Sequence, residues 1–377
     1  MEFKTVICET YIDNFLKNYK PYKGKWCYED GCLLQGCLLL YKATGEKKYL
    51  DFILKYLNVF VSDNGDLRGY VKEDYNIDNI NAGKVLFDIY NLTKDKKYKK
   101  AIDNLYSQLL THPRTECGNF WHKKRYENQV WLDGLYMVEP FYTRYETEFN
   151  NKKNYADIYK HFTNVRDNMF DEDKKLYYHA WDTAKKQEWA DKNTGLSKNF
   201  WVRAIGWLLM AMIDTLEYMS EEIFYEYRGL QILFKEAVYG VLQYQDPKTH
   251  MWYQVVDKGG EPKNYVETSG SLMIAYAMMK GARLGFLNDK YREIGLEAFK
   301  GICNTYLKKK DDQLTLEGIC LVAGLGNFDN QLRDGSYEYY MSEPVVADDV
   351  KGSGIFLMAY SEVLLLNKEL EESNYEK

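Results

Sequence analysis

Thr44-Gly-Glu-Lys-Lys-Tyr49, followed by an apolar-periodic run to Phe60, returns as Thr93-Lys-Asp-Lys-Lys-Tyr98 before a second such run to Leu110. Looser echoes stand at Asn154-Tyr155 and at Asp289-Lys290-Tyr291. A unit that recurs in this way decides the architecture, because each copy is one supersecondary element that must bury its face against the next. After each entry the apolar residues fall three to four apart with lysines between them, which predicts helices with one wet face. Leu50 to Phe60, Lys99 to Leu110, Tyr155 to Met169 and Lys290 to Leu307 are such outer helices, joined by Thr5 to Asn18 and Glu221 to Leu242.

Between them lie helices of another kind, rich in small residues and poor in charge: Gly31 to Leu40, Asn81 to Tyr90, Gly134 to Tyr145, Phe200 to Leu216, Ser269 to Gly281 and Gly352 to Leu366. A helix apolar around most of its circumference is buried on most sides. Six outer and six inner helices therefore alternate. An open superhelix would expose the inner set as a hydrophobic wall, so closure is favoured. The expected fold is all-α, an (α/α)6 barrel of six hairpins, and no linker rich in Pro, Gly or Ser divides 1–377 into more than one domain.

Composition narrows the function. Lys+Arg of 50 against Asp+Glu of 56 gives a net charge of -6 with no basic tract, which argues against a nucleic-acid or anionic-membrane partner. The N-terminal stretch mixes charges into every short apolar run, so neither a signal peptide nor a membrane span is expected. Seven cysteines, an odd number widely scattered, fit free thiols in a reducing compartment, and the expected location is the cytoplasm. No Cys-x-x-Cys or His-Glu-x-x-His occurs and the five histidines lie far apart, so no metal site and no cofactor are expected. The expected state is a monomer or small homo-oligomer.

The loops after the outer helices echo one another at Asp171 to Tyr178, Asp246 to Tyr253 and Asp329 to Tyr337, pairing turn formers with a short aromatic run. They predict small hairpins or extended loops on one rim. In a ring the inner helices run in one direction, so their N-termini share that face. Gathering those starts collects Trp26, Tyr28 and Asp30; Asp78; Trp131 and Asp133; Trp201, Arg203 and Trp207; Glu267 and Thr268; and Asp349 and Lys351, with His122 and His179 arriving from loops. Each residue has an ordinary reading, since aspartates are preferred N-caps and tryptophans fill cores. Their joint placement is what predicts a polar cavity, and the ring of positive helix ends would favour an anion at its centre. Arg203 and Trp207, four apart on one helix face, can address one ligand.

Six motifs carry a resemblance: Tyr75-Asn-Ile-Asp-Asn-Ile-Asn-Ala-Gly83, Phe120-Trp-His122, Trp131-Leu-Asp-Gly-Leu-Tyr-Met137, Tyr177-Tyr-His-Ala-Trp-Asp182, Phe200-Trp-Val-Arg-Ala-Ile-Gly-Trp207 and Tyr339-Tyr-Met-Ser-Glu-Pro-Val-Val346. In order and spacing the set resembles the unsaturated rhamnogalacturonyl hydrolases of glycoside hydrolase family 105, relatives of the family 88 unsaturated glucuronyl hydrolases. The resemblance implies an (α/α)6 barrel without metal or organic cofactor. It also implies that Asp133 is the general acid, Asp78 the second essential carboxylate, and that His122, His179, Trp201, Arg203 and Trp207 line the substrate pocket, with Trp131 beside the acid. Tyr28 falls where Trp26-Cys-Tyr-Glu-Asp-Gly31 departs from the family's early motif, and Lys351 enters from the helix placement.

The chemistry so implied differs from ordinary glycosidase action, in which two carboxylates work across the glycosidic bond. The implied substrate is an unsaturated oligosaccharide left by a pectin lyase, whose terminal uronic acid carries a 4,5-double bond. Protonation at C4 and capture of water at C5 release the next sugar. The acid must carry a proton near neutral pH although a free Asp titrates at about 3.9; burial and a second carboxylate favour that, and a helix N-terminus opposes it. Arg203 or Lys351 would hold the uronate carboxylate, Arg offering the bidentate fork. Two other readings stay open on the residues: a toroid with different sugar chemistry, such as an epimerase or endoglycosidase, and a helical-repeat binding protein whose aspartates are caps.

Overall fold

A computed structural model describes residues 5–311, 313–329 and 331–375; the first four residues of the charged N-terminal stretch lie outside them. The outer helices are α1 (Thr5–Asn18), α3 (Lys47–Phe60), α5 (Lys96–Leu109), α7 (Tyr155–Met169), α9 (Phe224–Leu242) and α11 (Lys290–Tyr306). The inner ones are α2 (Tyr28–Thr44), α4 (Lys84–Thr93), α6 (Leu132–Phe149), α8 (Val202–Tyr218), α10 (Thr268–Arg283) and α13 (Val350–Tyr375), with a short α12 (Tyr337–Ser342) preceding the last. The alternation read from the sequence is the architecture, an all-α (α/α)6 barrel. Boundaries differ where local chemistry intervenes. The two Lys-Lys-Tyr units lie inside α3 and α5: Gly45 ends α2 in the left-handed region (φ 75°), and Asp95 caps α5 by accepting from the Lys97 N–H. The fourth element starts as a 3-10 turn, Ile77–Gly83, before α4.

Each inner helix packs on the next, α2 on the 3-10 turn, the turn on α6, then α6 on α8, α8 on α10, α10 on α13 and α13 back on α2. The ring closes at a contact that only small residues permit. A methyl on Gly36 would stand 2.7 Å from the Gly354 carbonyl oxygen, and one on Gly354 would stand 2.9 Å from the Cys32 backbone. Such close approach gives the helices their dispersion contacts along the backbone. Every residue of α8 from Val202 to Leu216 is buried, Arg203 and Asp214 included, as a ring of helices wrapped by a second ring requires.

Among the described residues five two-stranded ribbons decorate the loops: β1 (Gln129–Trp131) with β4 (Ala180–Asp182), β2 (Phe170–Asp171) with β3 (Leu176–Tyr177), β5 (Leu307–Lys310) with β6 (Gln313–Leu316), β7 (Ile319–Cys320) with β10 (Val345–Val346), and β8 (Gly326–Phe328) with β9 (Gln331–Arg333). The expected hairpins at Asp171 to Tyr178 and near Asp329 are ribbons, the second beginning earlier than its aromatic run suggested. Asp246 to Tyr253 is instead a turn closed by Asp246 on the Thr249 N–H and hydroxyl. No described helix is long and apolar enough to cross a membrane.

Candidate active site

The starts of α2, α6 and α8 and the 3-10 turn before α4 surround a cavity of about 820 Å³, whose wall does not include Glu267, Thr268 or Asp349 at the starts of α10 and α13; the volume is inside the size range of small-ligand sites, about 300–1,000 Å³. Tyr28, Asp78, His122, Trp131, Asp133 and the trio Trp201, Arg203 and Trp207 all line it. Two short backbone pairings bring its carboxylates and imidazoles together.

The first is the β1–β4 ribbon. Trp131 pairs with Ala180 across it, and the Leu132 N–H donates to the His179 carbonyl, so the chain entering α6 lies beside His179. Trp131 holds the cap position of α6 in extended backbone, with no side chain capping the helix. Asp133 is thus the second helical residue and not a cap, which removes the ordinary explanation for it. Its Oδ2 is shielded from solvent yet has no hydrogen-bond partner among the described residues, and His179 Nε2 stands 3.5 Å away. His179 is fully buried; its Nδ1 is 2.8 Å from the Tyr340 hydroxyl, and its ring abuts Trp131 and Trp201.

The second pairing is a single bridge between Asn76 and Lys123, reinforced by the Ile77 N–H on the His122 carbonyl. It sets His122 and Lys123 over Asp78, whose own N–H donates to the Asn76 side chain. Lys123 Nζ is 2.5 Å from Asp78 Oδ2, and His122 Nε2 is 3.3 Å from Oδ1. Burial alone would push the Asp78 carboxyl up, but Lys123 and then His122 outweigh it and hold the group below the usual carboxylate range. Asp78 is therefore an anion. His122 is pulled down to about 4, chiefly by burial and against the attraction of Asp78, so its ring is neutral. With Asp78 beside Nε2, the proton belongs there, and Nδ1 is left without a partner among the described residues.

Aromatic placement follows from this frame. The indole of Trp131 lies 4.8 Å from the His122 ring and 4.9 Å from Tyr126, nearly parallel to both. Those two rings are only 6.1 Å apart, whereas rings on opposite faces of an indole would be separated by about twice the ~3.5 Å contact distance. Both therefore cover one face of Trp131. Trp207 is stacked on Tyr136, and Trp201 donates its N–H to Gln254. The two tryptophans line the cavity yet are only 1% and 2% exposed.

The two cations named for the uronate sit differently from expectation. Arg203 borders the cavity, but its Nε donates to Ser269 Oγ, Nη2 to the Cys320 carbonyl, and Glu267 lies 3.7 Å off. Much of its fork is thus committed to the protein, because a buried guanidinium must satisfy its donors locally. Lys351 is outside the lining wall: Asp349, itself accepting from the Lys351 N–H, holds the ammonium at 2.7 Å, with the Tyr22 hydroxyl at 3.1 Å. Tyr28 opens α2 at the cavity edge, and burial, then Glu29 and Asp78, hold its hydroxyl well above the usual phenol range.

Sequence reasoning stopped at His122 and missed its neighbour Lys123, the cation nearest Asp78; the run His122-Lys-Lys-Arg-Tyr126 was the available signal. It also passed over the Lys23 to Glu29 ion pair at 2.5 Å and the pair Phe328 and Arg333, all on the cavity wall. Among the described residues no three His, Cys, Asp or Glu side chains converge as a metal-ion site.

Known proteins resemble the chain along most of its length. Residues 6–367 match the Glycosyl Hydrolase Family 88. A solved structure of a glycoside hydrolase from family 105 of C. acetobutylicum ATCC 824 is 41% identical, superposes with a TM-score of 0.90, and covers 96% of this chain and 99% of its own. Protein Atu3128 of Agrobacterium fabrum is 40% identical over 196 residues, 51% of this chain and 83% of that protein. The unsaturated rhamnogalacturonyl hydrolase YesR of Bacillus subtilis is 23% identical over 279 residues, 72% of this chain and 76% of its own.

Proposed function

Because the chain belongs to glycoside hydrolase family 105, within the wider family 88 grouping, we propose that this glycosidase removes the 4,5-unsaturated uronic acid from the non-reducing end of lyase-generated, rhamnogalacturonan-type pectin oligosaccharides. One observation carries the reading: two carboxylates share a cavity in unequal surroundings. Asp78 is held as an anion by Lys123 and His122, while Asp133 Oδ2 has no hydrogen-bond partner among the described residues. The similarity to YesR supports the substrate class.

In this mechanism the protonated Asp133 carboxyl gives its proton to C4, and the electron pair of the C4–C5 double bond forms the new C–H bond. The positive charge left at C5 is shared by the ring oxygen. Asp133, now a carboxylate, takes a proton from a water whose oxygen bonds to C5. The resulting hemiketal opens to a C5 ketone and leaves a hemiacetal at C1, which collapses to the aldehyde and frees the next sugar. Asp78 orients the water or the sugar hydroxyls. His179, beside the acid, donates to or accepts from the same groups as its Tyr340 contact dictates. A positioned acid of this kind contributes typically about 10²–10⁴-fold.

The test is a panel of unsaturated disaccharides with different reducing-end sugars, followed by the ultraviolet absorbance of the conjugated double bond. Loss of absorbance, fastest with a rhamnose leaving group, is expected. Absence of loss on every member rejects the reading, and fastest loss with another leaving sugar rejects its pectin-specific part.

A further inference from the structure

Ribbon β8–β9 stands at the cavity mouth and carries an arrangement that the hydration chemistry does not use. Phe328 is 40% exposed, lines the cavity, and has the Arg333 guanidinium 4.4 Å from its ring centroid. A lone exposed Phe would mean little. Here the ring is anchored to the site. Leu325, just before the ribbon, is buried in one cluster with Trp131 and Trp189, and the Tyr339 hydroxyl donates to the Gly324 carbonyl. Gly324 lets the guanidinium lie against the backbone, since a methyl there would stand 2.8 Å from Arg333 Nη1.

Charge around the mouth is unbalanced. Two of the cavity's lysines have a carboxylate at short range, Lys23 on Glu29 and Lys123 on Asp78. At the mouth, Arg333 reaches its nearest carboxylate, Glu343, only at 4.0 Å. Lys25, Lys124 and Arg125 also line the cavity, and among the described residues none of them forms an ion pair with a carboxylate. Arg125 instead stacks on Tyr126, which itself covers Trp131. Cations on aromatic faces and short of counter-charge suit a ligand that is both a pyranose ring and an anion.

We infer that Arg333, stacked on Phe328, recognises a second acidic sugar of the substrate, beyond the leaving residue. This rests on the proposed function for the direction of the chain: the unsaturated uronate sits at Asp133 and the rest of the molecule leaves by the mouth. Arg333 is a specificity residue and takes no part in proton transfer.

The experiment uses two synthetic unsaturated tetrasaccharides that differ only at the internal uronic acid, free in one and methyl-esterified in the other. With wild-type protein the free acid should show a kcat/KM about three- to tenfold higher, the scale of one partly exposed charge-assisted contact, and the ratio should shrink with added salt. Arg333→Gln should bring the ratio to about one, and Arg333→Lys should restore part of it. A structural role would lower both substrates together and leave the ratio intact, which overturns the inference, as does a wild-type ratio of one. Calorimetric binding of both tetrasaccharides to Asp133→Asn protein separates the two readings. If nothing is hydrolysed but the acid binds more tightly than the ester in an Arg333-dependent way, the hydration reading falls and this one stands; equal affinities refute it.

Discussion

Replacing Lys123 by Met isolates the electrostatics of the second carboxylate. Lys123 Nζ lies 2.5 Å from Asp78 Oδ2, and both side chains are mostly enclosed. Burial pushes the Asp78 carboxyl up, and Lys123 is the largest influence against it, followed by His122. Breaking a buried pair by removing one partner costs about 3–5 kcal/mol of stability. His122 and Lys23 still face Asp78, so the carboxyl rises but keeps part of the opposing charge. The direction follows from the depressed folded value: Asp78 lends stability above its unfolded pKa of about 3.9, and that stability is lost as pH falls through the folded value. The assay is kcat/KM against pH, which reports the groups of the free enzyme. The acid limb should move up in Lys123→Met, with a loss of thermal stability that is full at neutral pH and disappears as pH falls below the folded and unfolded values of Asp78. A lower plateau with an unmoved acid limb would mean that Lys123 serves only as a substrate contact, and would refute the account of Asp78.

Asp133→Asn should lower turnover by about 10²–10⁴-fold with the melting temperature nearly unchanged, because α6 takes no side-chain cap from Asp133; a large loss of stability would instead give Asp133 a structural role. Arg203→Lys should reduce kcat/KM and also destabilise by about 1–3 kcal/mol in denaturant titration, since Ser269 and the Cys320 carbonyl lose their donors; unchanged kinetics in a folded variant excludes Arg203 from substrate recognition. Lys84, whose Nζ donates to the Tyr136 carbonyl, is pulled down to about 7, chiefly by burial. The unfolded chain therefore binds its proton more tightly up to about pH 10, so Lys84→Met should stabilise the protein at pH 7 and below, with the gain fading as pH rises toward 10; a gain independent of pH would contradict this.

The barrel was legible because its signal is periodic. Tyr155–Met169 and Thr5–Asn18 have the bounds the apolar spacing predicted, and the inner helices announced themselves by lacking a wet face. The ends were less so, since Gly45 and Asp95 set starts that periodicity does not encode. In the site, helix order alone gathered the starts of the inner helices, and eight of the ten residues named from sequence line one cavity, with His179 touching Asp133 from behind. What sequence could not carry is which partner a long side chain chooses. Arg203 turns to the Cys320 carbonyl because β7 happens to end there, and Lys351 turns to Asp349 two residues away. Lys123 faces Asp78 only because one backbone bridge joins segments far apart in the chain.

The most direct test of the hydration mechanism is the fate of solvent atoms. In heavy water the released sugar should carry deuterium at C4, and in ¹⁸O-labelled water a short incubation, controlled for carbonyl exchange, should place the label at C5. A glycosidase acting on the anomeric carbon would put the oxygen at C1 and no deuterium at C4, and that outcome would contradict the mechanism even with Asp133 essential, since both chemistries use a carboxylic acid.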